Sequence, residues 1–371
     1  MPVLFLDLQS LEKNIDWIAK NAGEKKIRLA TKSIRSVEVM KIILRASEVF
    51  QGLMTYDLRE ALWLRSLGFR DILMGYPSID RKSLEELSQT PEGITLMVDL
   101  PEHLDLINSY AMRSGNRIKI CIDIDLSMDL PGVRFGVYRS HLNTVQRVMK
   151  FVNHLKQCPY LELKGLMGYE AQIAGVTDKN SLLIRGLKKI SLFQLQKRRE
   201  EIVSYLNSEG FSLNFVNGGG TGSLTETSKE KCVTEVTVGS GFFSPVLFDH
   251  YQDFNLTPAL LFTLPILRKP EQGILTCFGG GYIASGAVEM IKQPHPYLPH
   301  GLKLLKHEGA GEVQTPLQYD GEVSLNVGDS VIMRHAKSGE VCERFDEIKI
   351  ISHGRIESKV FTYRGEGKTF I

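Results

Sequence analysis

Short apolar and β-branched runs alternate with amphipathic segments of helical period through the first two thirds of this 371-residue chain. This alternation limits the folds open to the chain more than any other feature. Read as strands, the runs lie at 27–31, 49–54, 72–75, 95–99, 118–124, 162–167, 213–217 and 234–238. Eight strand–helix units in succession predict a parallel (β/α)8 barrel of the TIM type. A doubly wound open sheet is the rival architecture, but no GxGxxG turn follows the first of these strands.

The pattern changes near residue 255. From there, runs such as GILTCFGGGYI, DSVIMRH and EIKIISHG are separated by turns and show little helical period, which is typical of an all-β domain. The opening strand VLFLD is surplus to eight barrel strands, so it can pair into this second sheet. The sequence therefore predicts a barrel domain over 8–250 and a C-terminal β domain over 251–371 that also takes strand 2–7.

Composition and charge exclude several classes of protein. A formal net charge of +2 provides no field that would attract nucleic acid or an acidic membrane. The apolar run at the N-terminus ends at Asp7 and is too short for a signal sequence or a membrane span. Five scattered cysteines without a CxxC pair are typical of a reduced protein. These features predict a cytoplasmic protein with neither nucleic acid nor a membrane as its partner.

One lysine stands where a barrel places its working residues, at the carboxyl end of a strand. Lys32 ends the run IRLATK, before a helix that begins near Arg35. A partly desolvated lysine has a lowered pKa, and its neutral amine can attack a carbonyl. A solvated surface lysine is the alternative, and the lysine alone does not decide between the two.

Two glycine-rich turns follow the last two predicted barrel strands. The segment NGGGTGS (217–223) comes directly after the seventh strand, and Gly239-Ser240-Gly241 ends the eighth. Backbone N–H groups of consecutive glycines can approach an anion without hindrance by a Cβ. Barrels of this type commonly bind phosphate with the loops after strands seven and eight. A phosphate there and a lysine at the first strand would be the two ends of one cofactor.

In their order and spacing, the motifs of this chain resemble those of the fold-type III pyridoxal 5'-phosphate (PLP) enzymes with an alanine-racemase-type N-terminal barrel. The resemblance is greatest to the D-serine dehydratase and D-threonine aldolase branch and runs nearly end to end. It implies a barrel followed by a β domain, and chemistry at the α-carbon of an amino acid. The matching segments are VLFLDLQSLEKNI (3–15), ATKS (30–33), RFGV (134–137), MGYE (167–170), NGGGTGS (217–223), EVTVGSG (235–241), LTPALLFTLPILRKP (256–270) and LNVGDSVIMRHAKSG (325–339).

The resemblance assigns roles to individual residues. Lys32 would hold PLP as a Schiff base and move protons at the substrate α-carbon. Arg134 would donate to the phenolic oxygen of the cofactor, and Tyr169 would lie against its pyridine ring. His335 and Lys337 are the catalytic candidates in the C-terminal domain. The residues that would hold the phosphate are Gly219, Gly220, Thr221, Gly239, Ser240 and Gly241.

The chain departs from the branch where relatives bind a divalent metal. The late His-x-Cys or His-x-Asp of the branch is here His335-Ala336-Lys337, and its Tyr-x-x-His ends in Gln172. A protonated ammonium has donors only and cannot bind a metal. Cys342 could substitute, but a predicted turn separates it from His335. The sequence therefore predicts no metal site, with His335 as the one candidate ligand and Lys337 as a fixed positive charge in the place of the metal.

The first hypothesis for function is a lyase, an aldolase or a dehydratase, that acts on a small β-hydroxy D-amino acid and works as a homodimer. An amino-acid racemase is the second, because the same lysine serves both reactions; Tyr282 would then be the base on the opposite face. A third is a non-catalytic PLP carrier, although such carriers resemble the barrel alone. A fourth is a sugar-phosphate barrel enzyme in which Lys32 is incidental. The segment GEVCERFD (339–346) is also faintly similar to the active-site cysteine segment of fold-type III decarboxylases.

Overall fold

The computed structural model describes residues 1–130, 132–287 and 289–371. The strands are β1 (Val3–Asp7), β2 (Lys26–Ala30), β3 (Phe50–Thr55), β4 (Ile72–Met74), β5 (Ile94–Val98), β6 (Ile118–Ile124), β7 (Met128–Leu130), β8 (Val133–Phe135), β9 (Leu161–Gly168), β10 (Phe215–Gly218), β11 (Glu235–Val238), β12 (Leu260–Arg268), β13 (Ile274–Phe278), β14 (His295–Leu298), β15 (Leu302–Leu304), β16 (Gln314–Tyr319), β17 (Ser330–Arg334), β18 (Glu347–Ser352) and β19 (Arg355–Phe361). The α-helices are α1 (Leu8–Ala22), α2 (Val37–Ala46), α3 (Leu58–Ser66), α4 (Arg81–Gln89), α5 (Pro101–Ser114), α6 (Val145–Leu155), α7 (Ala171–Ala174), α8 (Leu182–Ser208) and α9 (Leu224–Thr227).

The chain divides into two compact units, which are described separately here as the barrel unit and the β unit. The barrel unit comprises Ile18–Lys32, Leu44–Val238 and Phe370–Ile371. The β unit comprises Met1–Trp17, Ser33–Ile43 and Gly239–Thr369. The domain boundary at residue 250 stays a prediction.

Eight parallel strands of the barrel unit close on themselves in the order β10–β11–β2–β3–β4–β5–β6–β9. The ring closes where β11 pairs with β2, with Val238 opposite Leu29. The predicted (β/α)8 barrel is therefore confirmed, and the open doubly wound sheet is excluded. Because all these strands run in parallel, their carboxyl ends meet at one end of the barrel, where such folds place their working residues.

Local sequence determines where several barrel helices begin. Asp57, Asp80, Thr144 and Ser181 precede α3, α4, α6 and α8, and each side chain accepts a hydrogen bond from a backbone N–H of the first turn. Such caps stabilise a helix by about 0.5–2 kcal/mol each. The loops between strands and helices consequently have defined ends, which positions the residues that they carry.

The barrel interior contains an apolar layer and a polar layer. Leu73, Met97, Cys121 and Met167 form the buried apolar layer, against which Tyr169 and neighbouring side chains pack. Burial of each large apolar side chain contributes about 1.5–3 kcal/mol.

The polar layer is built around a buried arginine. Arg28 on β2 donates to Glu235 on β11 at 2.8 Å, and the Asn217 amide on β10 donates to the same carboxylate at 2.8 Å. Asn217 also donates to the Thr237 hydroxyl at 2.8 Å. A charge is tolerated inside the barrel because it is paired and hydrogen-bonded.

The β unit contains a nine-stranded sheet with the path β15–β16–β13–β12–β1–β18–β19, while β17 pairs with β12 and β14. The opening strand β1 lies inside this sheet, antiparallel to β12 with Leu4 opposite Phe262 and parallel to β18 with Leu4 opposite Ile348. The predicted all-β region is thus confirmed. Among the described residues, no helix combines the length and the apolar character that crossing a bilayer demands.

Candidate active site

The amine of Lys32 lies at the carboxyl end of the barrel and is hydrogen-bonded to a tyrosine. Lys32 belongs to a short 3-10 turn, Thr31–Ser33, which follows β2 directly. Its Nζ donates to the hydroxyl of Tyr76 at 3.1 Å. Tyr76 stands two residues beyond the end of β4, so loops after two different strands bring the pair together. Lys32 is exposed, and its amine is therefore accessible to a small molecule.

Arg139 joins Tyr76 to Tyr169, which directly follows β9. The Arg139 guanidinium carbon lies 5.6 Å from the centre of the Tyr76 ring and 5.2 Å from the centre of the Tyr169 ring. Cation–π contacts at these distances attract the guanidinium to both rings. Lys32, Tyr76, Arg139 and Tyr169 therefore form one connected group, named here the Lys32 cluster.

The pKa values of the two tyrosines in the Lys32 cluster are shifted in opposite directions. Burial raises the pKa of Tyr76, but the positive charges of Lys32 and Arg139 and the hydrogen bond from Lys32 lower it overall below its ordinary value. Burial raises the pKa of Tyr169 to about 12, against the opposing effect of Arg139. Tyr76 is therefore the better proton donor of the two, and Tyr169 stays a neutral ring.

Asp123, near the carboxyl end of β6, is a buried carboxyl group close to the Lys32 cluster. Burial raises the pKa of Asp123 to about 8; Asp99 and Asp125 raise it further, and Arg139 lowers it. Near neutral pH, Asp123 is thus largely a protonated acid, which can donate a hydrogen bond as well as accept one. Such shifts are common at functional sites, where burial and charge are arranged together.

A buried carboxylate, that of Glu170, accepts a hydrogen bond from the backbone of the first glycine turn. The Gly219 N–H donates to Glu170 at 2.7 Å, and Gly219 has a φ of +84°, which favours glycine. Glu170 also forms an ion pair with Arg199, which pairs in turn with Glu230; the Arg199 and Glu170 side chains are fully buried. The Gly219 amide thus has an internal acceptor, so an anion would meet other groups of the turn first.

Gly220 lies against Tyr169. A Cβ at Gly220 would stand 3.0 Å from Cβ of Ala174 and 3.2 Å from Cε2 of Tyr169. Contacts this short would force a neighbour to move, so the turn is packed closely against the ring of the Lys32 cluster. The Gly220 N–H donates to the Ser223 hydroxyl at 3.1 Å, and Thr221 is buried in the same turn.

The second glycine turn begins immediately after β11, the strand that pairs with both β10 and β2. Within the β unit, the Ser240 hydroxyl lies 3.1 Å from that of Ser33. Its backbone carbonyl accepts from the Ser338 hydroxyl at 3.3 Å. Gly239 and Gly241 flank Ser240 in a short 3-10 turn. In the chain, the first glycine turn thus follows β10 directly and the second follows β11, and these two strands pair in the barrel.

Arg134 is placed differently from Arg139. It lies on β8 of the β7–β8 hairpin and donates to Asp125 at 2.5 Å and to Asp129 at 3.1 Å. Its guanidinium carbon also lies 4.8 Å from the centre of the Tyr138 ring. Two carboxylates thus share the charge of Arg134, while Arg139 contacts the two tyrosine rings. The role predicted for Arg134 stays a prediction.

The histidine of the C-terminal candidates is part of the β-unit core. His335 is buried, and its Nδ1 lies 2.9 Å from the Leu260 carbonyl oxygen while its Nε2 lies 3.2 Å from the Ser338 hydroxyl. Burial, together with the charge of Arg334, lowers the pKa of His335 to about 3. Both ring nitrogens are engaged in hydrogen bonds, and the ring is neutral. The roles predicted for His335 stay predictions.

Lys337 and Cys342 occupy separate environments in the β unit. Lys337 donates to the Ser285 hydroxyl at 3.0 Å and pairs with Glu340 at 3.2 Å. Cys342 is buried, and its thiol donates to the Ile34 carbonyl at 3.6 Å; burial raises the pKa of Cys342 to about 12. Cys342 is therefore a neutral thiol, which is a poor metal ligand.

Two further positions from the sequence also have structural partners. The buried Gln172 amide donates to the Leu126 carbonyl and to the Ser191 hydroxyl, both at 2.8 Å. Tyr282 packs edge-on against Phe262 and Phe345, with ring centres 5.1 and 5.5 Å away. Gln172 is thus hydrogen-bonded inside the barrel unit, and Tyr282 is packed among aromatic rings of the β unit.

Sequence reasoning missed Tyr76, Arg139, Asp123 and Glu170. A usable signal existed for Tyr76 and Asp123, since both stand at or just beyond the carboxyl end of a barrel strand. Arg139 lies in an irregular segment before α6 and has no periodic signal. The hydrogen bond of Glu170 to Gly219 depends on the backbone path and has no counterpart in the sequence.

The fold and these residues define a class of protein, and comparison with known families identifies it. The family model described as alanine racemase, N-terminal domain, matches residues 6–244. The match covers more than half of the chain, and the chain belongs to this family. The resemblance found in the sequence is thereby confirmed.

The chain is also similar to individual relatives whose activity is named. The chain is 24% identical to 3-hydroxy-D-aspartate aldolase of Paracoccus denitrificans (strain Pd 1222) over 257 residues, which are 68% of this chain and 62% of that protein. The match thus spans less than two thirds of the length of that relative.

Solved structures resemble the chain over its whole length. D-threonine aldolase from Filomicrobium marinum superimposes with a TM-score of 0.83 at 17% identity, over 100% of this chain and 96% of that one. D-threo-3-hydroxyaspartate dehydratase from Delftia sp. HT23 gives 0.78 at 17% identity, over 97% of each chain. At this identity the likeness concerns the fold.

The residues of the barrel end fit PLP. An amine accessible to a small molecule is present in Lys32. The rings of Tyr76 and Tyr169 provide aromatic surfaces, and Arg139 provides a cation beside them. At Gly220 the absence of a side chain brings backbone close to the Tyr169 ring. Amine, aromatic face, cation and glycine-rich backbone are the groups that an aldehyde, a pyridine ring and a phosphate require.

Proposed function

We propose that this chain is a PLP-dependent lyase that cleaves or dehydrates a β-hydroxy D-amino acid. The observation that carries the proposal is the amine of Lys32, hydrogen-bonded to Tyr76 at the barrel end where two glycine turns begin. The printed names of the relatives, an aldolase of 3-hydroxy-D-aspartate and an aldolase of D-threonine, support the substrate class. The family to which the chain belongs supports the cofactor.

When bound, PLP withdraws electrons from the α-carbon of an attached amino acid and so eases the breaking of its bonds. Lys32 is the residue that we propose attaches the cofactor through Nζ and then moves a proton at the α-carbon. Tyr76 holds that amine at 3.1 Å and can exchange a proton with it, because its pKa is lowered by Lys32 and Arg139 against the effect of burial.

The remaining residues of the barrel end would bind the cofactor and orient it. Tyr169, neutral because burial raises its pKa to about 12, offers a flat face to the pyridine ring. Arg139 offers a charge to an anionic oxygen, which is the role that the family resemblance predicts for Arg134. The residues proposed to hold the phosphate are Gly220 and Thr221 after β10 and Gly239, Ser240 and Gly241 after β11. Gly219, whose N–H is taken by Glu170, would shape the first turn at this site.

The experiment that tests cofactor binding is spectroscopic and covalent. The purified protein should be yellow, and borohydride should fix the cofactor to the peptide that contains Lys32. Peptide mapping by mass spectrometry would refute the proposal if it placed the adduct on Lys25 or Lys26. A colourless protein that cannot be loaded with PLP would favour the sugar-phosphate enzyme instead.

A substrate screen tests the reaction class. Among D- and L-amino acids, those with the D configuration and a β-hydroxyl should be consumed. An aldolase would form an aldehyde and glycine, and a dehydratase would form an oxo acid and ammonia. Inversion of alanine or serine without cleavage would show a racemase. A protein that binds PLP and leaves every amino acid unchanged would be a carrier.

We also propose that the chain acts as a homodimer in the cytoplasm. Its five cysteines are all thiols, which favours a reducing compartment. A second subunit placed over the barrel end would exclude water and strengthen the electrostatic interactions of the site. Sedimentation should show a dimer at micromolar concentration, and a fully active monomer would contradict this.

A further inference from the structure

We propose that the barrel unit binds one divalent zinc ion on its outer helices through Asp105, His154 and Cys158. One ligand atom from each residue lies within 4.8 Å of the other two. Carboxylate oxygen, imidazole nitrogen and thiolate sulfur are the three ligand types that proteins use for zinc. The ion would occupy a place outside the Lys32 cluster, on the surface formed by α5 and α6.

The spacing of the residues sets up this convergence. Asp105 lies in α5, and His154 lies in the last turn of α6, which packs against α5. Cys158 follows four residues after His154, so the chain, still turning beyond α6, brings the thiol to the same side. The carbonyl end of a helix also favours a cation.

Asp105 and His154 are hydrogen-bonded to each other, so their ligand atoms stand closer together than they would around a zinc ion. The Asp105 Oδ1 atom lies 2.7 Å from Nε2 of His154. In a tetrahedral site with zinc bonds of about 2.0–2.3 Å, ligand atoms stand roughly 3.3–3.7 Å apart. The Asp105 and His154 side chains are 63% and 32% exposed, so small rotations can open a place for the ion.

The sulfur, in contrast, is fixed. Cys158 is buried, and its N–H donates to the Leu155 carbonyl at 2.9 Å. The following loop is tied to α5 by the Tyr160 N–H, which donates to Asn108 at 3.2 Å. A rigid buried sulfur with two adjustable ligands on its solvent side gives an ion both an anchor and an entry path.

The charges of the group suit a cation, because a zinc ion would stabilise the thiolate form of Cys158 and balance the Asp105 carboxylate. Three protein ligands leave a fourth position for water, which is the arrangement of an open zinc site.

Cobalt(II) is the probe that tests this proposal. The full-length protein, dialysed against chelator, should take up one cobalt ion per chain and develop a near-ultraviolet thiolate-to-metal band. Zinc should displace the cobalt and abolish the band. Cys158→Ser should prevent the band, and Asp105→Asn should weaken binding about tenfold or more.

Cys232→Ser is the matched control, since Cys232 is a half-buried cysteine of the same unit and should leave the band unchanged. In the wild type, zinc should also protect Cys158 from slow alkylation, mapped by mass spectrometry; this measurement does not depend on the folding of a variant. A wild type without the band, or a band that survives in Cys158→Ser, would overturn the proposal.

Discussion

The Lys32 cluster and the His335–Lys337 segment both contain basic side chains that sequence motifs single out, but their surroundings differ. In the cluster, Lys32, Tyr76, Arg139 and Tyr169 come from loops after different barrel strands and contact one another. His335 instead engages both ring nitrogens with the Leu260 carbonyl and the Ser338 hydroxyl. The difference teaches that residues which a motif singles out can have very different surroundings, and that these surroundings depend on packing rather than on the motif.

The largest effect should come from Lys32→Ala, because no other group of the Lys32 cluster can form an imine with an aldehyde. Turnover and the yellow absorbance should both be lost, whereas Lys26→Ala, at an exposed position at the start of β2, should keep both. Absorbance spectra and initial rates provide the measurement. Retention of colour and activity in Lys32→Ala would show that the Lys32 cluster is not where the cofactor is attached.

The next effect should come from Tyr76→Phe. Loss of the hydroxyl removes the partner of the Lys32 amine, and general acid–base partners contribute about 10²–10⁴-fold to rate. We expect kcat to fall about 100-fold while the cofactor remains attached, with a changed pH profile. Tyr138→Phe is the control, since Tyr138 is 87% exposed. An unaltered pH profile in Tyr76→Phe would show that Tyr76 does not exchange protons with Lys32 and only packs beside it.

Asp123→Asn tests whether the carboxyl group beside the Lys32 cluster is held in its protonated form, because that would make the free energy of unfolding depend on pH. The pKa of Asp123 is raised to about 8 by burial and nearby carboxylates, whereas an unfolded aspartate has a pKa of about 3.9. Folding therefore favours the protonated form, and this contribution is lost as pH rises from about 4 to about 8. The free energy of unfolding of the wild type should fall relative to Asp123→Asn over this range, as urea titration at about pH 5 and about pH 9 would show. Parallel pH curves would contradict it.

The smallest effect should come from Lys337→Ala. Its ammonium is partnered by Ser285 and Glu340, so we expect a several-fold loss of activity with the absorbance retained, and full wild-type activity in chelator. Lys359→Ala, at an exposed lysine that also has a glutamate partner, should behave as the wild type. Activity that disappears on chelation and returns with added metal would show that a metal, rather than Lys337, supplies the positive charge.

The barrel could be predicted from the sequence because its physical cause is local. Each strand is a short apolar run, and each helix repeats its apolar face along the chain, as in 118–124 and the segment before it. Lys32 was identified for a related reason, since the residue that ends a parallel strand lies at the working end of the barrel. The barrel fold and the position of Lys32 at the end of a strand are thus properties of sequence order.

The surroundings of Lys32 could not be predicted in the same way. Arg139 reaches Tyr76 and Tyr169 from an irregular loop, and such a path has no periodic signature. The Gly219 amide was expected to point to an anion, but Glu170 accepts it, and that carboxylate is held by Arg199. Which partner wins a hydrogen bond depends on three-dimensional packing rather than on residue order.

The pairing of β1 has a consequence for synthesis on the ribosome. β1 is made before β12 and β18, the two strands on which Leu4 packs, and the whole barrel emerges in between. Until then VLFLD is an apolar strand with both edges unpaired, a state that invites association with other nascent chains. Nascent chains stalled before β18 should therefore expose this strand to chaperones, and release should follow only when the last strands leave the exit tunnel.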